Sequence, residues 1–173
     1  STMKHTFESL KVKPRTVILD TDIGPDCDDV GALVCLIHYA KKYGFKIAGV
    51  CNCTSNKAGT GTIDAVCNWC GLETPYLGQW SGADFMNDAS CHKYNDAVAE
   101  KYSEAYRNGT LKTDAEVTFY RNLLAKAEDD SIMIITIGMF NDLAALLRSG
   151  ADGIAPLSGM ELVKAKVNCL VSM

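Results

Sequence analysis

The chain alternates short apolar runs with segments in which apolar residues recur at helical spacing. Residues 16–20 are apolar up to a final aspartate, and residues 29–43 then carry apolar side chains three and four positions apart. This pattern predicts a strand followed by a helix. Further strands are predicted over residues 46–51, 75–78, 131–137 and 167–173, and further helices over 62–70, 94–106, 114–127 and 141–148.

Apolar strands that alternate with helices are typical of a parallel sheet covered on both faces. We therefore predict an α/β fold, a doubly wound, Rossmann-like parallel sheet, with a long irregular loop from residue 79 to 93. Thr113 and Glu116 have the spacing of a capping box, which predicts the start of the helix at 114. No linker or repeat interrupts the pattern, so residues 1–173 are expected to form one α/β domain.

Composition and charge limit the kinds of binding partner that we expect for this chain. The chain is 47% hydrophobic and 22% charged, with a formal net charge of −4, so nothing in its charge favours nucleic acid or an anionic membrane. No apolar run reaches the roughly 20 residues needed to span a bilayer, and the first residues lack the layout of a signal peptide. We expect a cytoplasmic protein with a small-molecule partner and eight cysteines that stay reduced.

The segment between the first strand and the first helix is rich in acidic side chains. Five aspartates, Asp20, Asp22, Asp26, Asp28 and Asp29, fall within ten residues. Carboxylates packed so closely repel one another unless a cation or protons neutralise them, and hard oxygen ligands favour Mg²⁺ or Ca²⁺. The alternative is that Asp28 or Asp29 only caps the helix and Asp26 is a solvated turn residue. Capping explains one or two aspartates and leaves the others unexplained.

Two segments resemble the nucleoside hydrolase (inosine-uridine preferring nucleoside N-ribohydrolase) family. The first is Asp-Thr-Asp-Ile-Gly-Pro-Asp-Cys-Asp-Asp over residues 20–29, which is similar to the family signature DTDxGxDDxxA with two extra residues before the last acidic pair. The second is the apolar strand, glycine and helix start over residues 134–146. The resemblance implies the amino-terminal part of a nucleoside hydrolase-like fold, and only the first motif is highly specific.

This resemblance implies a metal site for Ca²⁺ in preference to Mg²⁺. By position in the motif, Asp22 would be a metal ligand and the general base that takes a proton from the cation-bound water, and Asp29 the second carboxylate ligand. Asp28 would bind a ribose hydroxyl or stand in the outer shell of the metal. The backbone carbonyl of Ile137 would be a further ligand.

The resemblance also implies a substrate, a ribonucleoside or related N-riboside, hydrolysed to ribose and free base. Asn56 stands near the position of a ribose-contacting asparagine, with Asn52 as the alternative alignment. The loop after Gly78 reads Gly-Ala-Asp-Phe over residues 82–85, where typical members have His-Gly. The sequence therefore leaves open which nucleobase the substrate carries and whether the substrate is a nucleoside. Later residues of the family site have no counterpart in this sequence, so we expect the isolated chain to be inactive and to form a homo-oligomer through an uncovered apolar sheet edge.

Two rival functions fit the same first strand. In a haloacid-dehalogenase-type phosphohydrolase, Asp20 would be the nucleophile, Asp22 the acid/base, and Thr136 the phosphate-binding hydroxyl beside Mg²⁺. That site has no use for Asp28 and Asp29 at the start of a helix. The other rival is a non-catalytic metal-binding domain, which Ca²⁺ binding without turnover would support.

Overall fold

The computed structural model describes residues 16–173. Their six strands form one parallel sheet in the order β4-β3-β2-β1-β5-β6. The predicted single domain over residues 1–173 includes residues 1–15, which lie outside the described part. The strands are β1 (Thr16–Thr21), β2 (Lys46–Asn52), β3 (Tyr76–Gln79), β4 (Asp114–Ala115), β5 (Ile132–Thr136) and β6 (Val167–Ser172).

Eight helices are present in residues 16–173, and the longer ones follow the predicted amphipathic segments. They are α1 (Asp28–Tyr43), α2 (Ala58–Trp69), α3 (Ala89–His92), α4 (Asn95–Tyr102), α5 (Glu104–Arg107), α6 (Glu116–Lys126), α7 (Asn141–Arg148) and α8 (Gly159–Lys166). The end of α1 is set by Gly44, which takes a left-handed φ of 74° and donates its N–H to the carbonyl of Ala40.

Helices cover both faces of the sheet, which confirms the predicted doubly wound α/β class. On one face, Leu33 and Ile37 of α1 and Ile63 of α2 pack against buried residues of β1, β2 and β3. On the other face, Phe119 of α6 and Leu146 of α7 belong to a core cluster with residues of β1, β2 and β5. Strands β1, β2 and β3 are therefore almost wholly buried, because each has a helical layer on either side, whereas the edge strand β6 is largely exposed.

Strand order places a crevice at one point of the sheet. From β1 the chain moves outward through β2, β3 and β4, and then returns to add β5 on the other side of β1. Beyond the carboxyl ends of β1 and β5 the connections diverge to opposite faces, which is where open parallel sheets bind ligands. The aspartate-rich loop follows β1 at this position.

Three local predictions were wrong. Residues 114–115 form the short strand β4, so α6 starts at Glu116 after Ala115, with no side-chain cap, and the Thr113–Glu116 capping box is not formed. Instead, the Glu116 carboxylate accepts the backbone N–H of Ser81 at 2.8 Å. The predicted helix 94–106 is divided at Ser103, which adopts extended backbone angles and caps α5.

The third error is an omission, because no helix was predicted over the residues that form α8. Its N-cap, Ser158, forms a complete capping box with Glu161. None of the helices in the described part is long and apolar enough to cross a membrane. All eight cysteines are free thiols in this structure, and three of them, Cys51, Cys53 and Cys67, are buried.

Candidate functional site

The acidic loop leaves β1 and enters α1 with its carboxylates at three levels of exposure. Asp20 is fully buried at the end of β1, Asp22 is half-buried, and Asp29 is buried in the first turn of α1. Asp26 and Asp28 are exposed. The turn that folds the loop back is made at Gly24, whose φ of 141° is open to glycine and strained for other residues.

The carboxylates of this loop converge. Carboxylate oxygens of Asp26, Asp28 and Asp29 lie within 4.8 Å of one another, and Asp22 and Asp29 are in hydrogen-bond contact. The hydroxyl of Thr21 donates to Asp29 and fixes the orientation of its carboxylate. Asp26, Asp28 and Asp29 thus form one group, and Asp22 adjoins this group through Asp29. A cluster of carboxylate oxygens of this kind is able to hold a cation.

The carboxyl groups of the cluster have pKa values that differ from the ordinary value of an aspartate. Burial, together with the charges of Asp22 and Asp28, raises the pKa of Asp29 to about 7. Burial likewise raises the pKa of Asp22. A hydrogen bond between the exposed carboxyls raises the pKa of Asp26 and lowers that of Asp28. A divalent cation bound between these groups would offset both the burial and the repulsion that raise the pKa of Asp29.

The segment after β5 borders the same point. A Cβ atom added to Gly138 would lie 2.7 Å from the backbone nitrogen and 3.1 Å from the Cβ of Asp22. The peptide that joins Ile137 to Gly138 therefore packs directly against Asp22, and only glycine leaves room for that approach. Ile137 is held there because its N–H donates to the carbonyl of Asp20 at 2.9 Å.

The two asparagines proposed to contact ribose differ in their hydrogen bonding. The Asn52 amide is fully buried and saturated: it donates to the carbonyl of Asn56 at 2.8 Å and to the Gln79 side chain at 3.0 Å, and accepts from Thr54. Asn56 accepts the Ala58 N–H at 3.0 Å, but its Nδ2 is buried without a hydrogen-bond partner among the described residues. The free donor belongs to Asn56, and Asn52 is a structural residue of the loop.

Below the acidic loop lies a second buried carboxyl pair that the sequence did not reveal. Asp20 accepts a hydrogen bond from the Tyr120 hydroxyl at 2.6 Å, and Asp142 accepts one from the Cys51 thiol at 3.0 Å. Burial of the two carboxyls beside each other raises the pKa of both. The only hint in the sequence is Asp142 in the second motif, and its contact with Asp20 depends on the tertiary packing of α7.

This burial bears on two of the alternatives. The phosphohydrolase reaction requires an accessible nucleophile, whereas Asp20 is fully buried with its carboxylate engaged by Tyr120, and Thr136 is 1% exposed. On the capping alternative, the N-cap of α1 is Cys27, whose side chain caps nothing, whereas Asp28 lies in the first turn and accepts backbone N–H groups there. Capping therefore accounts for Asp28 and leaves the other aspartates unexplained. The structure therefore leaves the cation site as the better account of the aspartates.

Two cavities lie at opposite edges of the sheet. One, of about 540 Å³, borders the carboxyl ends of β2, β3 and β4 and is lined in part by Ser55, Gln79 and Trp80. The other, of about 810 Å³, lies at the amino ends of β2 and β3, near Lys46 and Tyr76. Neither cavity is lined by a residue of the acidic loop. Only the first is at the edge where parallel sheets bind ligands.

An acidic loop at the switch point of a parallel sheet defines this chain as a doubly wound α/β protein with a candidate cation site. Among solved structures it is similar to a plant nucleoside hydrolase, the enzyme PpNRh1, with a TM-score of 0.58 and 18% sequence identity. The match covers 92% of this chain and 47% of the plant chain, so this chain spans about half the length of that relative. The nucleoside hydrolase-like fold is confirmed. No model of a protein family and no curated protein sequence matches the chain.

Proposed function

We propose that this chain carries the cation-binding and ribose-binding part of a nucleoside hydrolase-like enzyme that uses Ca²⁺. The observation that carries the proposal is a cluster of carboxylates in which Asp26, Asp28 and Asp29 lie within 4.8 Å of one another and Asp22 contacts Asp29. Gly138, in the segment that follows β5, packs against Asp22. The enzyme would hydrolyse the N-glycosidic bond of a ribonucleoside or related N-riboside. The similarity of the fold to a plant nucleoside hydrolase supports the same activity.

The donor set fits Ca²⁺ better than Mg²⁺. Asp22 and Asp29 would be the carboxylate ligands, Ile137 would supply its backbone carbonyl, and Asp28 would bind a ribose hydroxyl or the outer shell of the cation. Ca²⁺ accepts six to eight oxygen ligands in flexible geometry, which suits side chains and carbonyls from two separate loops. When bound, such a cation lowers the pKa of water and orients the sugar hydroxyls.

Asp22 is the general base in this proposal. It is half-buried just beyond β1 and in contact with Asp29, so its carboxylate stands beside the proposed cation. Its oxygen takes a proton from water as the water oxygen bonds to the anomeric carbon. The bond from that carbon to the nucleobase nitrogen breaks, and its electron pair leaves with the nucleobase. Nδ2 of Asn56, buried and without a partner among the described residues, would donate to a ribose hydroxyl.

Calorimetric titration of the chain with Ca²⁺, and separately with Mg²⁺, tests the cation site. We expect Ca²⁺ to bind the wild type, Asp29→Asn to abolish binding, and Asp129→Asn, an exposed aspartate on another face, to leave it unchanged. Mg²⁺ binding that is indifferent to Asp29 would contradict the proposal and favour the phosphohydrolase. Ca²⁺ binding by a longer protein containing this chain, with no ribose release from any nucleoside, would favour the non-catalytic alternative.

We further propose that β6 associates with a second copy of the chain. β6 is an edge strand of the sheet, and Leu170, Val171 and Met173 at its end are 53%, 45% and 82% exposed. An apolar edge with free backbone groups pairs readily with another strand. Light scattering should show an oligomer that Leu170→Lys weakens. A wild-type monomer at all concentrations would contradict this.

A further inference from the structure

Few hydrogen bonds inside the acidic loop fix its backbone. The Thr21 hydroxyl accepts the Ile23 N–H at 3.1 Å and donates to the Asp29 carboxylate, and the N-cap of α1 provides no side-chain hydrogen bond. The converging carboxylates also repel one another in the absence of a cation. A loop of this kind needs an external restraint if it is to hold its ligands in place before the cation binds.

That restraint is supplied by the junction of α3 and α4. Asn95 is fully buried, and its Nδ2 donates to the carbonyl of Ile23 at 2.8 Å. The neighbouring Tyr94 hydroxyl donates to the carbonyl of Asp26 at 2.5 Å. The two bonds hold the loop on both sides of the Gly24 turn, one before it and one after it.

Close packing at Gly24 shows that the fit is tight. A Cβ atom at this position would collide with the carbonyl oxygen of Cys91 and would lie 2.5 Å from Nδ2 of Asn95. The loop therefore rests directly on the α3–α4 junction with no space between them. A side chain at position 24 would push the loop away from the two groups that hold it.

The junction is itself anchored to the fold, so it can act as a fixed support. A Cβ atom at Gly61 of α2 would lie 2.5 Å from the Cβ of Ala99, which means that α2 and α4 pack at their closest possible approach. After α4, the Ser103 hydroxyl donates to the buried Asp64 of α2 at 2.6 Å. Helix α4 thus cannot shift without disturbing α2.

We propose that Asn95 and Tyr94 are positioning residues that hold the acidic loop in its cation-binding conformation. Neither side chain is a ligand; each acts through a backbone carbonyl of the loop that carries the ligands. The inference rests on the proposed cation site, because it concerns the affinity of that site. Outer contacts of this kind change metal affinity by about tenfold or more when removed.

Calorimetric titration with Ca²⁺ alone, combined with thermal unfolding in the presence and absence of Ca²⁺, tests the proposal. The variants are Asn95→Ala, which removes a buried amide, and Tyr94→Phe, which removes only a hydroxyl from a half-buried side chain. The control is Asn122→Ala, which removes an amide bonded to Tyr76 on another part of the sheet. We expect each test variant to weaken Ca²⁺ binding about tenfold, and the control to bind as the wild type even where its unfolding temperature falls as far.

The possible outcomes are distinct. Ca²⁺ affinity of Asn95→Ala and Tyr94→Phe equal to that of the wild type would overturn the positioning role and leave the cation site intact. An equal loss in Asn122→Ala would also overturn it, because the effect would then follow general stability. A wild type that does not bind Ca²⁺ would overturn the proposed cation site, and this inference with it. If Asn95→Ala does not fold, Tyr94→Phe decides the question.

Discussion

Two aspartate sites in this protein are built on opposite electrostatic principles. At the carboxyl edge of the sheet, burial and neighbouring carboxylates raise the pKa of Asp29 to about 7. In the loop between α7 and α8, the Arg121 guanidinium lowers the pKa of Asp152 to about 2. The first site holds charges that nothing in the described loop neutralises fully, and the second pairs its charge within the fold. Unrelieved repulsion indicates a ligand site, whereas complete pairing indicates structure.

The Arg121 site shows how a buried charge is accommodated. Its side chain is fully buried on α6, yet its guanidinium donates to both carboxylate oxygens of Asp152 at 2.8 and 2.9 Å. It also donates to the Ser149 hydroxyl at 3.1 Å and to the carbonyls of Ala155 and Leu157 at 3.1 and 2.8 Å. One side chain therefore organises the whole connection that leads into α8.

The largest effect is expected when this pairing is broken. Arg121→Met should lower the free energy of unfolding by about 3 kcal/mol, because buried carbonyls and Asp152 lose their donor together. Urea denaturation measures the change, and Arg148→Met, at an exposed position on α7, should stay within about 0.5 kcal/mol of the wild type. If Arg121→Met lowers the free energy of unfolding by less than about 1 kcal/mol, backbone contacts and not Arg121 hold the connection between α7 and α8.

A smaller effect on stability, coupled to cation binding, is expected at Gly138. The methyl group of Gly138→Ala would lie 2.7 Å from the backbone nitrogen of Asp22 and 2.8 Å from the Cys53 sulfur. We expect a loss of about 1–3 kcal/mol in stability and a fall in Ca²⁺ affinity, measured by denaturation and calorimetry. Gly153→Ala, whose added Cβ meets nothing within 4 Å, is the matched control. A Ca²⁺ affinity of Gly138→Ala equal to that of the wild type would show that the segment around Gly138 does not contribute to the cation site.

The smallest effects should appear in the pH dependence of stability, with opposite signs at the two sites. From about pH 4 to 7, cation-free native protein keeps a proton on Asp29 that the unfolded chain releases near pH 3.8, so this group makes stability fall as pH rises. From about pH 4 down to 2, the unfolded chain takes up a proton that native Asp152 does not, so this group makes stability fall as pH falls.

Asp29→Asn and Asp152→Asn should each flatten the stability curve only in its own window, as measured by urea denaturation across pH. Saturating Ca²⁺ should also remove the slope between pH 4 and 7 in the wild type and leave Asp29→Asn unaffected. A wild-type slope that Asp29→Asn leaves unchanged would mean that the raised pKa of this carboxyl does not govern stability there.

The sequence alone determined the α/β class and the acidic loop, because both are local patterns. Continuous apolar strands alternate with amphipathic helices, and the aspartates of residues 20–29 are neighbours along the chain. The sequence also predicted that Ile137 ends a strand and precedes Gly138, which the structure packs against Asp22. These features need no knowledge of which distant elements pack together.

Tertiary structure decided which polar groups are satisfied. Asn52, the last residue of β2, and Asn56 stand four residues apart. The Asn52 amide donates to Gln79, whereas Nδ2 of Asn56 is buried without a partner among the described residues. The contact of Asn95 with Ile23 joins residues 72 positions apart, and that of Tyr120 with Asp20 joins residues 100 positions apart. Hydrogen bonds over such separations follow from the order of strands and the docking of helices, which no local pattern encodes.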